Sequence, residues 1–292
     1  MCYHVDGDLV PASEAAVSVR DRGFAYGDAA VETLRAYGGR CFEWTAHERR
    51  LRQTAERLGM ADAVPGDCRE RVRATLDAND LADARVRLSV TRGVQSGGLT
   101  PDPDVDPTVV VVVSELPRGG LAGDRAWDGP ATVQTVRTRK PPEAALPADG
   151  RTHSRLNGVL ARLELQRAAT DAHRADEALV RDVNGHLVEG ATSNVFFVDD
   201  GTLKTPGAAV PLSPGVTREV VLGLAREESF PVETGRHSVA DVRDADEAFL
   251  TSATWELRPV ATVDGIEVGA GAITALLQRL FDELVERRHY GD

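Results

Sequence analysis

The sequence predicts an α+β fold, and three observations predict it. Short β-rich runs pair around the turn dipeptides Asn184-Gly185 and Asp200-Gly201, both hairpin signals. Helical stretches fall between groups of strands rather than after each strand, so the order is mixed and not a regular βαβ alternation. The stretch from Pro117 to Pro130 is rich in Gly and Pro and poor in apolar residues, which makes it the expected connector between two parts of a 292-residue chain. Each part is long enough to bury its own core.

Taken in order, Tyr3-His-Val reads as an opening strand, with turn signals at Asp6-Gly7 and Gly38-Gly39. Thr45 followed by Glu48 has the spacing of a capping box, which predicts a helix from there to about Leu58. A second helix is expected over 67–78 and strands over 85–91 and 108–114. The five valines from Val109 to Val113 read as a strand buried on both faces. After the connector come a strand over 131–136, a Pro-rich loop through Pro147, and a helix with apolar Leu156, Val159, Leu160, Leu163 and Leu165. Pro214-Gly-Val-Thr opens another helix, and a long amphipathic helix over 272–287 closes the pattern.

The composition excludes several classes. A net charge of -12 repels phosphate backbones and argues against nucleic acid as a partner. The longest apolar run is too short to span a bilayer, and the first residues lack a basic-then-apolar signal, so no membrane role and a cytoplasmic location are expected. Cys2, Cys41 and Cys68 are odd in number and lack metal-ligand spacing; reduced thiols and no metal are expected. Lys140 and Lys204 are the sole lysines among 34 basic residues.

The most informative motifs are Asp149-Gly-Arg-Thr-His-Ser-Arg-Leu-Asn-Gly-Val-Leu160 and Leu187-Val-Glu-Gly-Ala-Thr-Ser-Asn-Val-Phe-Phe197. Together with Asp21-Arg-Gly-Phe-Ala-Tyr-Gly-Asp28, Glu32, Arg35 and His47-Glu-Arg-Arg-Leu51, they resemble the fold-type IV pyridoxal-phosphate enzymes. That family holds branched-chain and D-amino-acid aminotransferases and aminodeoxychorismate lyase. The resemblance covers essentially the whole chain. It implies a small N-terminal α/β domain over 1–116, the connector over 117–130, and a larger cofactor-binding domain of pseudo-barrel type over 131–292. It also implies a homodimer, pyridoxal 5′-phosphate as cofactor, held without a covalent bond if no lysine reaches it, and a small amino or keto acid as substrate.

By that resemblance Glu189 faces the ring nitrogen of the cofactor, and Ser193 and Asn194 belong to the same cofactor-binding string. Arg50, Val216, Thr217, Ser252 and Thr254 are expected to hold phosphate, because helix N-termini and tight turns present oriented donors to an oxyanion. Tyr26, Arg35 and Arg155 are candidates to address substrate, against the plainer reading of Tyr26 as a core tyrosine and Arg35 as a surface arginine. The Asp-Arg-Gly form and Arg155 lean toward the lyase branch, which would release pyruvate and yield 4-aminobenzoate. Trp255-Glu-Leu-Arg-Pro-Val leans toward aminotransferases, branched-chain or D-specific.

One position departs from the family pattern. Arg151 stands where the family carries the lysine that bonds to the cofactor. A guanidinium stays protonated at any working pH and is not a nucleophile, so Arg151 can supply charge but not the covalent step. Lys140 lies in the loop upstream and Lys204 on a strand expected to be exposed; Lys140 is the one candidate to substitute. A cofactor-binding homologue impaired in catalysis is the remaining alternative.

Overall fold

The computed structural model describes residues 1–170, 174–269 and 271–291. The chain forms two compact units: Met1–Asp124 with Gly150–Ser154 and Val285–Asp292, and Arg125–Asp149 with Arg155–Leu284. The first change-over falls inside the Gly/Pro-rich connector. The first unit also takes back five residues around Arg151 and the C-terminal segment, which no local pattern marks.

The first unit is built on β1 (Cys2–Val5), β2 (Asp8–Pro11), β3 (Ala29–Tyr37), β4 (Arg40–Cys41), β5 (Ala84–Thr91) and β6 (Val109–Glu115). They form one antiparallel sheet in the order β2-β1-β6-β5-β3-β4. Three helices accompany it: α1 (Arg22–Tyr26), α2 (Trp44–Arg57) and α3 (Cys68–Asp77). Leu51, Met60, Val72 and Leu76 meet Leu34, Val86, Leu88 and Val111 in its core. Two local expectations are corrected here. The residue before α2 is Glu43 in a left-handed conformation with no side-chain cap, so Thr45 lies inside the first turn rather than at the cap. Glu48 instead accepts from Trp44 Nε1 at 3.0 Å and pairs with Arg52. In β6, Val109, Val111 and Val113 are buried while Val110 and Val112 are half-buried, because the helices cover one face of this sheet.

The second unit holds β7 (Ala131–Arg139), α4 (Leu156–Ala168), β8 (Glu177–Arg181), β9 (Leu187–Gly190), β10 (Asn194–Asp199) and β11 (Thr202–Pro206). It continues with α5 (Val216–Glu227), β12 (Val232–Gly235), α6 (Val239–Arg243), β13 (Glu247–Ser252), β14 (Glu256–Val263), β15 (Ile266–Glu267) and α7 (Ala272–Val285). Its mixed sheet runs β12-β11-β10-β13-β14-β7-β8-β9, with β15 added beside β14. The two ends of that order meet: Leu187 N of β9 donates to His237 O, just past β12, at 2.8 Å. The sheet therefore curls into the pseudo-barrel that the resemblance implied.

Both hairpins form, β8–β9 around Asn184-Gly185 and β10–β11 around Asp200-Gly201. The helix expected from Leu156 also forms, but its apolar pattern misleads. Ala161 and Leu165 are its buried residues, whereas Leu156, Val159 and Leu160 are 68%, 51% and 45% exposed. Among the described residues, no helix is long and apolar enough to cross a membrane, and no cluster of His, Cys, Asp and Glu has a metal-holding arrangement.

Candidate active site

In the second unit the chemistry gathers around Glu189. The residue lies on β9 opposite Val180 of β8, whose other neighbour is β7. Lys140 follows β7 directly, and its backbone N donates to Arg181 O at 2.9 Å, extending the ladder past the strand end. Strands lie about 4.8 Å apart, so Lys140 and Glu189 are two strand spacings from one another, a span that two long side chains bridge. Lys140 Nζ donates to Glu189 Oε1 and, at 3.1 Å, to Ser213 Oγ.

The remaining bonds fix the carboxylate. Ser213 Oγ lies 3.1 Å from Oε1; Ser213 N donates to Oε2 at 2.9 Å, with Asn194 Nδ2 at 3.5 Å. Glu189 is 7% exposed, so these donors replace water almost entirely. Charge-assisted bonds of this kind are stronger than neutral ones and set the direction of both oxygens.

Ser213 also leads the chain into α5. Asn194 Nδ2 donates to Ser213 O at 3.1 Å. Gly215 precedes the helix in an extended conformation and contributes no side-chain cap. A Cβ at Gly215 would stand 2.0 Å from Asn194 Oδ1, so only glycine lets this turn approach the carboxylate cluster. Val216 and Thr217 form the first buried turn of a 12-residue helix, and their amides are among the donors a helix leaves unpaired at its start. Beside Asn194 on the sheet, Thr251 of β13 is 1% exposed. Its Oγ1 has no hydrogen-bond partner among the described residues. Ser252 Oγ accepts from Trp255 N at 3.0 Å, closing the turn that carries Thr254.

Ser193 does a different job. Its Oγ donates to Glu177 Oε2 at 3.1 Å, and Thr192 N donates to the same oxygen at 3.1 Å. Fully buried Glu177 thus staples the turn between Glu189 and Asn194. Arg155 joins that turn from outside, donating from Nη2 to Ala191 O at 2.9 Å.

The first unit also holds a buried carboxylate against a cation. Glu32 accepts from Arg50 Nε at 2.7 Å and Nη2 at 2.6 Å, and its Oε2 lies 2.8 Å from His47 Nδ1. Burial works against the charge on Glu32, but the bonds and charge of Arg50, then His47, outweigh it and hold the carboxyl at about 2. Burial also lowers the pKa of His47, with the charges of Arg50 and Arg151 acting in the same direction. Arg151 itself is tied into this unit: Val31 N donates to its carbonyl at 2.8 Å and its own N donates to Thr54 Oγ1 at 3.1 Å.

The Asp21–Asp28 motif proves largely architectural. Asp21 caps α1 through Gly23 N at 2.7 Å and accepts from Thr91 Oγ1 at 2.8 Å. Arg22 and Arg92 both bind Asp28, and Arg22 also holds the carbonyls of Gly98 and Leu99. Tyr26 is 42% exposed, with its hydroxyl accepting from Gly98 N at 3.2 Å. Arg35 is 2% exposed, lies over the Tyr37 ring and donates to Pro117 O at 2.7 Å. The plain alternatives are therefore inverted: the tyrosine is the open residue and the arginine the buried one.

The residues expected to serve the cofactor thus fall into two groups. Glu189, Asn194, Ser193, Val216, Thr217, Ser252 and Thr254 belong to the second unit, and Arg50 and Arg151 to the first. Sequence reasoning overlooked Ser213 and Glu32 as partners of the named residues. Ser213 had a readable signal, a serine two residues ahead of a Gly-initiated helix. Glu32 was read as part of the N-terminal motif, but its link to Arg50 had no signal, since it crosses from a strand to a helix.

Pyridoxal phosphate needs an acceptor for its ring nitrogen and several oriented donors for its phosphate. The buried Glu189 carboxylate, the glycine-dependent start of α5 and the orphaned Thr251 hydroxyl fit those needs within one unit. Glu189 is already paired with a cation, however, so a ring nitrogen has to share or replace Lys140.

The model of the class IV amino-transferases matches residues 29–263. A Methanocaldococcus jannaschii protein provisionally named a branched-chain-amino-acid aminotransferase is 35% identical over 97% of this chain and 96% of its own length. The D-alanine aminotransferase of Listeria innocua is 31% identical over 97% and 96%. Among solved structures, a T.th. branched-chain amino acid aminotransferase complexed with N-(5′-phosphopyridoxyl)-L-glutamate aligns with a TM-score of 0.85. It is 25% identical, with 99% of this chain and 96% of that one covered. The 4-amino-4-deoxychorismate lyase of Pseudomonas aeruginosa aligns with a TM-score of 0.79 at 30% identity, covering 99% and 100%.

Proposed function

The chain belongs to the class IV aminotransferases, a family of pyridoxal-phosphate enzymes, and from that membership we propose that it is an amino-acid aminotransferase. The observation that carries the reading is the Glu189 cluster beside the start of α5, which provides both ends of a cofactor cradle in one compact unit. The two relatives named as aminotransferases favour amino-group transfer over the lyase reaction.

Bound here, pyridoxal phosphate supplies an aldehyde for the amino group and a ring that takes up electrons from the substrate's α-carbon. Glu189 holds the ring nitrogen in its protonated form by charge and hydrogen bonding. Val216 and Thr217 offer backbone amides to phosphate, with Thr251, Ser252 and Thr254 lining the same unit. Asn194 and Ser213 keep Glu189 from rotating. Arg50 stays paired with Glu32 inside the first unit. Arg151 occupies the position of the family's lysine and contributes charge without carrying a proton to or from the substrate. Arg155, bonded to the turn between Glu189 and Asn194, addresses substrate in this reading.

A second reading is aminodeoxychorismate lyase, favoured by the 30% identity to that lyase over the whole chain. A substrate screen separates the two: amino-group transfer from an L- or D-amino acid to 2-oxoglutarate supports the first, and pyruvate release from aminodeoxychorismate supports the second. Absence of both reactions in a protein that binds the cofactor supports an impaired homologue. In the same proposal the protein works as a homodimer in the cytoplasm, and the exposed Leu156, Val159 and Leu160 of α4 give it an apolar surface to cover. Sedimentation analysis checks the dimer.

A further inference from the structure

We infer that Lys140, and not the residue at position 151, is the amine that bonds covalently to the cofactor. The inference rests on the proposed cofactor site and would fall with it.

The first argument is chemical. The chain uses arginine for nearly all of its positive charge, and only Lys140 and Lys204 are lysines. An arginine would make a better, bidentate partner for the Glu189 carboxylate than a lysine does. What a lysine offers and an arginine does not is a neutral, nucleophilic amine. Lys204 sits at the surface, paired with Asp199 at 2.7 Å on the β10–β11 hairpin. Lys140 sits on the carboxylate that the cofactor ring needs.

The second argument is geometric. Glu189 Oε2 is held by Ser213 N and Asn194, which belong to the framework. Oε1 is held by an ammonium on a flexible stem and by a hydroxyl. A ring nitrogen therefore enters at Oε1, and it displaces Lys140 because the two cannot share one direction of approach. The four-methylene stem then lets Nζ swing along the face of the ring to the aldehyde carbon at its far end.

The protons balance without any other reagent. Lys140 passes one proton to Glu189, which passes it to the ring nitrogen; the resulting ring cation becomes the new partner of Glu189. The neutral amine attacks the aldehyde carbon, a carbon–nitrogen bond forms, and the aldehyde oxygen leaves as water. No electrons are transferred. In this scheme Glu189 serves twice, first as the site that stores the ammonium and then as the counter-ion of the ring.

The test uses the full chain with pyridoxal 5′-phosphate. Saturable binding is followed by absorbance and fluorescence, then borohydride reduction fixes any imine and peptide mass mapping locates it. The expected result is one phosphopyridoxyl group per chain on the Lys140 peptide, retained in Lys204→Arg. Lys140→Arg keeps a cation for Glu189 and is expected to bind the cofactor without an adduct and without the imine absorbance. Saturable binding with no adduct at Lys140, or an adduct confined to Lys204 or the N-terminal amine, overturns the inference and leaves the proposed function standing. Lack of saturable binding overturns both.

Discussion

Glu32 in the first unit and Glu189 in the second are each buried against a cation, and the two pairs are built for different ends. Glu32 is 1% exposed, and both of its oxygens are bonded by Arg50, with His47 on the second. Its partners are rigid and planar, and they are held by the core side of α2. Glu189 is also buried but has a flexible lysine on one oxygen and framework donors on the other. The first arrangement is closed; the second is half fixed and half exchangeable. A carboxylate that must receive a ligand keeps one weakly committed direction, whereas one that holds an architecture keeps none.

The largest effect separating the two pairs concerns stability. Removing one partner of a buried ion pair strands the other, at a cost of about 3–5 kcal/mol. Glu32→Ala is expected to reach that range in urea unfolding, because the Arg50 guanidinium is left without its carboxylate. Glu189→Ala should cost clearly less, since Lys140 has a path toward water. Equal losses in the two variants would break the distinction.

Acid sharpens it next. The folded carboxyl of Glu32 is lowered from 4.5 to about 2, so its contribution to stability is complete above 4.5 and disappears as pH falls toward 2. The urea midpoint of the native protein should fall across that window, and the midpoint of Glu32→Gln should fall less steeply. Parallel curves would show that the pair does not hold the unit together.

Ligand binding inverts the ranking. Glu189→Gln is expected to weaken saturable pyridoxal phosphate binding about tenfold, roughly 1.4 kcal/mol, while barely moving the unfolding midpoint. Glu32→Gln should show the reverse balance. Titration by fluorescence alongside denaturation distinguishes them, and a Glu189→Gln protein that binds normally removes the ring nitrogen from the proposal.

The smallest difference is at helix starts. Ser238 caps α6 with a reciprocal bond to Asp241, so Ser238→Ala should cost about 1 kcal/mol. Thr45 has the matching sequence spacing without the cap, and Thr45→Ala should stay within about 0.5 kcal/mol. Calorimetry of the two variants checks whether the first unit relies on its buried pair rather than on its helix ends.

Much of this molecule was legible in the chain itself. The hairpins at Asn184-Gly185 and Asp200-Gly201, the glycine-initiated α5 and the mixed strand–helix order follow from local conformational preferences, which operate over a few residues. The family motifs placed Glu189 and Asn194 together because a tight turn joins β9 to β10. Burial was less legible: Leu156, Val159 and Leu160 have a helical spacing of apolar residues and lie at the surface. Periodicity says which residues share a face, not what covers it. Tertiary structure alone decided the partners. Lys140 meets Glu189 across an intervening strand, 49 residues apart in the chain. Glu32 meets Arg50 from strand to helix, and Arg151 joins the first unit with Gly150–Ser154 although the flanking segments Arg125–Asp149 and Arg155–Leu284 belong to the second. Pairings of that kind depend on sheet order and register, which long-range packing of the whole chain sets and no short window of sequence contains.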